Sequence, residues 1–245
     1  MAPSRARPFA ALLALVASCQ APSVARPWSH VRAGAMNVGV STGWADYEAE
    51  VAARGTSGAL AGASGTDTSE LGPRYGAALK FNYFVTDEFS IGGIAELRGF
   101  DPDPVSPLGA ELVGEDFETL HLVGSLRWFG EPFEERRRLR PFYGLDVGWV
   151  PGVRLDDVRV DYDPLLMLPS ERVSVEGDSF WTIAPVLGLS YLLARNLSLE
   201  LGAFYEFPLS TSDESVTFTN LGGATADVEV EPQGLVGFVG LTWWF

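Results

Sequence analysis

Eight ionisable side chains recur at alternate positions of strand-like segments: Lys80, Glu96, Arg98, His121, Arg127, Asp146, Glu200 and Glu206. Cations, carboxylates and an imidazole on one set of faces could conduct ions, shuttle a proton or lock a structure shut. Such groups persist away from water when they pair and hydrogen-bond, so a salt-bridged interior is the first expectation and an ion or proton path the second. Catalysis finds little support, and the chain reads as a non-enzyme. Of its two histidines, His30 precedes the strand pattern and His121 has Val123 two residues on. Ser125 lies four residues along the same face, beyond direct hydrogen-bond reach at ~3.3 Å per residue. No His/Cys cluster offers a metal set. Asp156, Asp157, Asp161 and Asp163 carry oxygen ligands but lack the glycine and terminal glutamate of a calcium loop, so no cofactor is expected.

The elements that must hold these groups are strands. Period-two alternation between turn signals marks eight segments, at about 35–46, 74–84, 89–100, 118–129, 141–151, 179–192, 196–207 and 234–245. These exceed the ~5–6 residues of a soluble strand and meet the ~9–11 that a tilted strand needs to cross hydrocarbon. In the seventh, Leu197, Leu199, Leu201, Ala203, Tyr205 and Phe207 share one face, while Ser198, Glu200, Gly202, Phe204 and Glu206 share the other. The fourth repeats this, with Leu120, Leu122, Gly124, Leu126 and Trp128 against Thr119, His121, Val123, Ser125 and Arg127. If the apolar face meets lipid, the ionisable set fills the interior, which in an eight-stranded barrel is just wide enough for side chains. Aromatics near strand ends, such as Tyr83, Trp128, Trp181, Tyr205 and Trp243, suit interfacial girdles. Pro185 lies inside the sixth segment, where its missing N–H predicts a bulge or a local break in pairing.

Composition narrows the choice further. The 245 residues are 47% hydrophobic and 20% charged, with a single cysteine and a net charge of −15. Disorder is not the default reading, a disulfide framework is excluded, and nucleic acid is not expected as a partner. No run reaches the ~18 apolar residues of a membrane helix, so any crossing must be a closed barrel. Links 85–88, 130–140 and 193–195 are short, whereas 47–73, 101–117, 152–178 and 208–233 are long. The long links hold 21 acids against four arginines, a net of −17, and read as acidic loops on the outer side. Divalent ions would bridge such a dispersed acidic surface to lipopolysaccharide phosphates. Link 130–140 carries Arg136, Arg137, Arg138 and Arg140 beside Glu131, Glu134 and Glu135, and reads as a solvated loop, with lipid-headgroup contact as the sharper alternative.

Residues 1–25 read as a signal peptide and short leader, and residues 26–245 as the barrel domain. Arg5 and Arg7 precede an apolar run over 9–17. Cys19 follows Val16-Ala17-Ser18, which resembles the lipobox of bacterial lipoproteins, where the cysteine is acylated. Cleavage after Ala25 would instead discard Cys19, and both outcomes stay open.

The last segment alternates through Leu235, Val239, Leu241, Trp243 and Phe245 and closes on three aromatics. It resembles the C-terminal sorting strand of bacterial outer-membrane barrels, with Gly240, Trp243 and Phe245 at matching positions and Phe238 where a polar residue is usual. With Leu79-Lys80-Phe81-Asn82-Tyr83-Phe84 and Arg140-Pro141-Phe142-Tyr143-Gly144, the chain resembles the small OmpA-type and OmpW-type outer-membrane barrels of Gram-negative bacteria. The resemblance implies an all-β, eight-stranded antiparallel up-and-down transmembrane β-barrel, monomeric, set in outer-membrane lipid and lipopolysaccharide. It implies that the barrel-assembly machinery is met during biogenesis and that no peptidoglycan-binding domain follows. Lipid A deacylases among outer-membrane barrels carry His-any-Ser, and Val123 departs from that pair. Two roles follow as expectations. One is a structural or surface-contact barrel with acidic extracellular loops and a closed, salt-bridged interior. The other is a conduit or binder for small hydrophobic solutes through the barrel wall, with Pro185 supplying the gap. A soluble lipid-binding barrel is the competing fold.

Overall fold

The computed structural model describes residue 28 and residues 31–72, 75–133, 138–152, 154–163 and 167–245. The signal-peptide reading, Cys19, His30, Glu134, Glu135, Arg136 and Arg137 lie outside the described residues. Among those described, thirteen strands form: β1 (Met36–Gly55), β2 (Ser64–Gly72), β3 (Tyr75–Phe84), β4 (Phe89–Pro102), β5 (Glu111–Val113), β6 (Phe117–Phe129), β7 (Leu139–Val150), β8 (Arg154–Asp161), β9 (Glu171–Gly177), β10 (Phe180–Ala194), β11 (Leu197–Pro208), β12 (Ser212–Phe218) and β13 (Ala224–Trp244).

Eight of these make a closed antiparallel ring in the order β1-β3-β4-β6-β7-β10-β11-β13, and β13 returns to β1. Closure gives every ladder a partner, which is what a sheet surrounded by hydrocarbon requires. Outside the ring, Val40, Trp44, Leu79, Leu187 and Leu201 are each more than half exposed. An apolar surface of that extent needs something other than water to cover it. Along β13 the outward residues change from Asp227, Glu229 and Glu231 to Leu235, Val239 and Trp243. Along β1 they change in the same place, from Glu50 and Glu48 to Trp44, Val40 and Val38, since Tyr47 faces Gly234 in the register. That level is the bilayer edge.

Beyond it, the expectation of long solvated loops is corrected. Links 47–73, 101–117, 152–178 and 208–233 contain β2, β5, β8, β9 and β12, together with the extensions of β1 and β13. These elements stand side by side as a collar in the order β2-β1-β13-β12-β9-β8-β5. Its two edges meet through residues 103–106, where Val105 bridges Leu112, Ser69 Oγ donates to the Asp103 carbonyl at 2.9 Å, and the Ser106 N–H donates to Asp67 at 2.6 Å. The cause lies in alternation rather than charge. Val51, Val158, Val160, Val173, Val175, Val216 and Val228 point inward and are buried together, while the intervening acids point outward. Burying one such valine is worth ~1.5 kcal/mol, more than an exposed ion pair at ~0–1 kcal/mol. The collar is thus a soluble barrel stacked on a membrane barrel, greasy inside and polar outside.

Two breaks in pairing bear on Pro185 and on the interior. Between Ile183↔Phe207 and Val186↔Phe204 the ladder of β10 and β11 skips Ala184 and Pro185 without a change of register, so the feature is a break and not a bulge. The second is longer. Pairing of β6 with β7 stops at Leu122↔Trp149 and resumes between β5 and β8 at Val113↔Arg159. Among the described residues, the stretch 117–121 has β4 on one side and no ladder on the other, and 114–116 lie in no strand.

Candidate functional site: a closed interior beneath an apolar chamber

Three layers fill the ring. At the end of the short links, Trp28, Phe84, Phe129, Phe142 and Trp244 pack as an aromatic plug, with Phe84 and Phe129 rings 5.2 Å apart and Trp28 edge-on to Trp244 at 6.0 Å. Trp244 Nε1 donates to Ser198 Oγ at 2.9 Å, which fixes the indole inside the ring. Arg140 closes the same end. It lies over the Phe129 ring at 5.3 Å and donates to the carbonyls of Gly130 at 2.7 Å and Asp87 at 2.9 Å, so it is tied down and buried rather than part of a solvated arginine loop.

The middle layer holds the ionisable residues. Arg127 on β6 donates to Asp146 on β7 through two nitrogens, one at 2.8 Å to Oδ2. Gly144 makes room for it, because a Cβ there would lie 2.7 Å from Arg127 Cδ. Lys80 on β3 pairs with Glu200 on β11. Arg98 on β4 donates to Glu96 and to Glu206 on β11, each at 2.8 Å, and also to Tyr47 Oη, which itself donates to Glu206 at 3.0 Å. The set therefore falls into three ion-paired groups. His121 stands apart: its Nδ1 is 3.9 Å from Glu206, and neither ring nitrogen has a hydrogen-bond partner. Ser125 Oγ also lacks a partner, so no Ser–His pair forms. Tyr47 was not among the sequence candidates, because the sequence pattern ends the first strand at 46 and leaves Tyr47 in the long link 47–73, whereas β1 runs on to Gly55.

The third layer is a cavity of about 180 Å³ at and above the bilayer edge. Val51, Leu71, Phe100, Val105, Phe117 and Val228 are among its walls, and Thr119, His121, Glu206 and Glu214 reach it as well. Asp103 and Asp178, both exposed, sit at its rim. The break beside β6 adjoins it, since Gly114, Phe117, Thr119 and His121 on one side and Val150 and Val158 on the other all line it. Glu214 was counted in sequence as one more loop acid. Burial pushes its carboxyl up to about 7, well above the ordinary 4.5. Asp161, one of the four loop acids weighed for calcium, instead accepts hydrogen bonds from Ser170 at 2.6 Å, which does most to hold its carboxyl below the usual range, and from Arg159 at 2.9 Å. Among the described residues no group of three or more His, Cys, Asp or Glu is placed to hold a metal ion.

Gly240 packs against β1, where a Cβ would lie 2.8 Å from Ser41 Cβ. Trp243 and Phe245 point outward, 49% and 70% exposed, and the Phe245 N–H donates to the Met36 carbonyl at 2.9 Å to finish the seam.

A closed ring with a lipid-facing apolar belt makes this an integral membrane β-barrel. Its fold is that of the outer membrane protein OprG of Pseudomonas aeruginosa, with a TM-score of 0.60 and 17% identity over 87% of this chain and 97% of that one. It also aligns with the outer membrane protein AlkL in lipid bilayers (TM-score 0.49, 17% identity, 87% of this chain and 91% of that one). Neisserial surface protein A aligns with a TM-score of 0.38 and 12% identity, over 86% of this chain and 98% of that one. No protein-family model and no curated protein matches the chain.

Proposed function

We propose that the protein stands in the outer membrane of a Gram-negative bacterium with its collar outward, as short links inside and long ones outside imply. There it takes small apolar molecules into the chamber and passes them sideways into the bilayer. The observation that carries this reading is the chamber itself: about 180 Å³ with mainly apolar walls, set over an interior crossed by ion pairs and ended by an aromatic plug. An apolar cavity of about 150 Å³ holds benzene, so a benzene-sized solute fits. The way on from the chamber in this reading is through the wall beside β6, where Phe117, Thr119 and His121 belong both to the lining and to the stretch without a β7 ladder. Gly240, Trp243 and Phe245 serve as the assembly signal in this reading.

The test is uptake of labelled benzyl alcohol by cells making the protein, compared with cells making Val175→Phe, whose larger side chain fills the chamber. Faster uptake with the wild type and none of that gain with the variant is expected. A gain that survives in a correctly folded variant would sink the proposal. A surface-contact role is the second reading, favoured by the exposed Glu48, Glu176, Asp227, Glu229 and Glu231 on the collar. It predicts calcium-dependent retention on lipopolysaccharide, lost when these five are replaced by glutamine.

A further inference from the structure

The chamber is apolar except at its polar lining, and part of that lining is unsatisfied. Thr119 and His121, two residues apart on β6, are buried at its floor. Neither Thr119 Oγ1 nor either nitrogen of His121 has a hydrogen-bond partner. Glu214, on β12, has neither a hydrogen bond nor an ion pair among the described residues, although its side chain lines the same cavity. Buried polar groups in folded proteins are paired in the great majority of cases, and each exception asks for a reason. Here two of the exceptions, Thr119 and His121, line one empty space of molecular size, and the part-buried Glu214 lines it too.

We propose that the chamber binds protonated amines with a benzene-sized apolar body, the ammonium held by Glu214 and the body by the valine and phenylalanine walls. The proposal rests on the chamber reading above and narrows its ligand class. No lysine or arginine is among the described residues that line the cavity, whereas Asp103, Asp178, Glu206 and Glu214 are. Glu206 is already engaged by Arg98 and Tyr47. The charge of the lining is negative, at the rim and inside, so it draws a cation inward and repels a carboxylate of the same shape. An ammonium brings the donors and the charge that Glu214 lacks, while its apolar body replaces water against the walls. Thr119 and His121 meet any second polar group.

The same geometry makes binding pH-dependent. The titratable groups that share the chamber with Glu214 are Tyr47, Asp103, Asp178, Glu206 and His121. On the flanking strands, Glu176 of β9 and Asp227 and Glu229 of β13 point outward. Glu214 ionises near pH 7, whereas an alkylamine stays protonated to about pH 9. Amine affinity therefore rises from pH 5.5 to pH 8, and the affinity of a neutral analogue does not.

The experiment uses the protein in lipid nanodiscs with methyl-labelled valines, following Val51, Val175 and Val228 during titration with benzylamine, benzyl alcohol or sodium benzoate. At pH 8, benzylamine is expected to bind at least about tenfold more tightly than benzoate, with benzyl alcohol between them. Benzylamine affinity is expected to fall about tenfold at pH 5.5. Glu214→Gln removes the preference for the amine over the alcohol and leaves the alcohol unchanged. If that variant does not fold, the pH series on the wild type decides alone. Equal affinity for amine and alcohol at both pH values overturns the amine assignment and leaves the chamber standing. Failure of both to shift the chamber methyls overturns the chamber reading as well.

Discussion

Arg98 and Glu206 face each other across the full width of the ring. Arg98 is on β4 and Glu206 on β11, four places apart in a ring of eight, and their side chains meet at 2.8 Å in the middle. The pair thus spans the lumen instead of lying along the wall. Removing one partner strands a buried charge, so Glu206→Ala is expected to cost ~3–5 kcal/mol. Replacing both, as Arg98→Met with Glu206→Leu, is expected to recover most of the loss. Urea midpoints, followed by the heat-dependent gel shift of folded barrels, measure both. A single variant as stable as the wild type would show that the crossing is incidental.

The same pair, together with the plug, is expected to close the axis. Purified protein in planar bilayers is expected to be electrically silent. Phe129→Ala thins the plug but leaves Arg98–Glu206, Lys80–Glu200 and Arg127–Asp146 in place, so it is expected to stay silent too. Steady single-channel currents from the wild type would contradict a closed axis.

The two breaks in the wall make opposite predictions. Pro185 is exposed on the outer face of β10, and its break spans two positions. Pro185→Val supplies an N–H and a β-branched side chain, and is expected to raise stability by roughly 0.5–1 kcal/mol. It is expected to leave benzyl alcohol uptake unchanged, because the chamber adjoins the β6 break. Slower uptake in Pro185→Val would move the exit to β10 and β11.

The membrane half was legible in sequence, and the collar was not, for one physical reason. Leu197, Leu199 and Leu201 alternate with Ser198 and Glu200, a pattern that means a strand whichever side is wet. In the collar, Asp227-Val228-Glu229-Val230-Glu231 alternates just as strictly, yet its acids invite a count of charge in place of a reading of period. The inward faces are continuous along β1 and β13 while the solvent outside changes at Tyr47 and Gly234, and a single rule of polarity cannot follow that switch. The ion-pair candidates came from alternation within single strands. Which cation meets which acid depended on ring order and shear, which the sequence does not state. Glu214 was hidden because its inward direction exists only once Val216 and Phe218 are seen as a buried row.

Glu214 also ties the collar's stability to pH. Its carboxyl is raised from the ordinary 4.5 to about 7 in the folded protein. The unfolded chain therefore ionises first as pH rises, and stability that is complete below about 4.5 is lost progressively up to about 7. Above that pH the loss is constant, at roughly 3 kcal/mol for a shift of this size. Glu214→Gln is expected to protect β9 and β12 from hydrogen exchange at pH 8 and to change nothing at pH 4. Equal exchange in both proteins at pH 8 would show that the carboxyl is not held in its neutral form.

Phe245 separates assembly from stability. Its ring points outward at the lipid face of the seam, where its own N–H holds Met36. A charge at the lipid face near an interface costs only ~0–1 kcal/mol, so Phe245→Asp is expected to leave the urea midpoint of the folded protein almost unchanged. If Gly240, Trp243 and Phe245 are read by the assembly machinery, the amount of folded protein reaching the membrane falls severalfold in the same variant. Gly240→Ala should instead lower both, because its added Cβ meets Ser41 in the closing seam. Normal membrane yield of Phe245→Asp, with an unchanged midpoint, would remove the assembly role from this residue and leave it a lipid-facing aromatic.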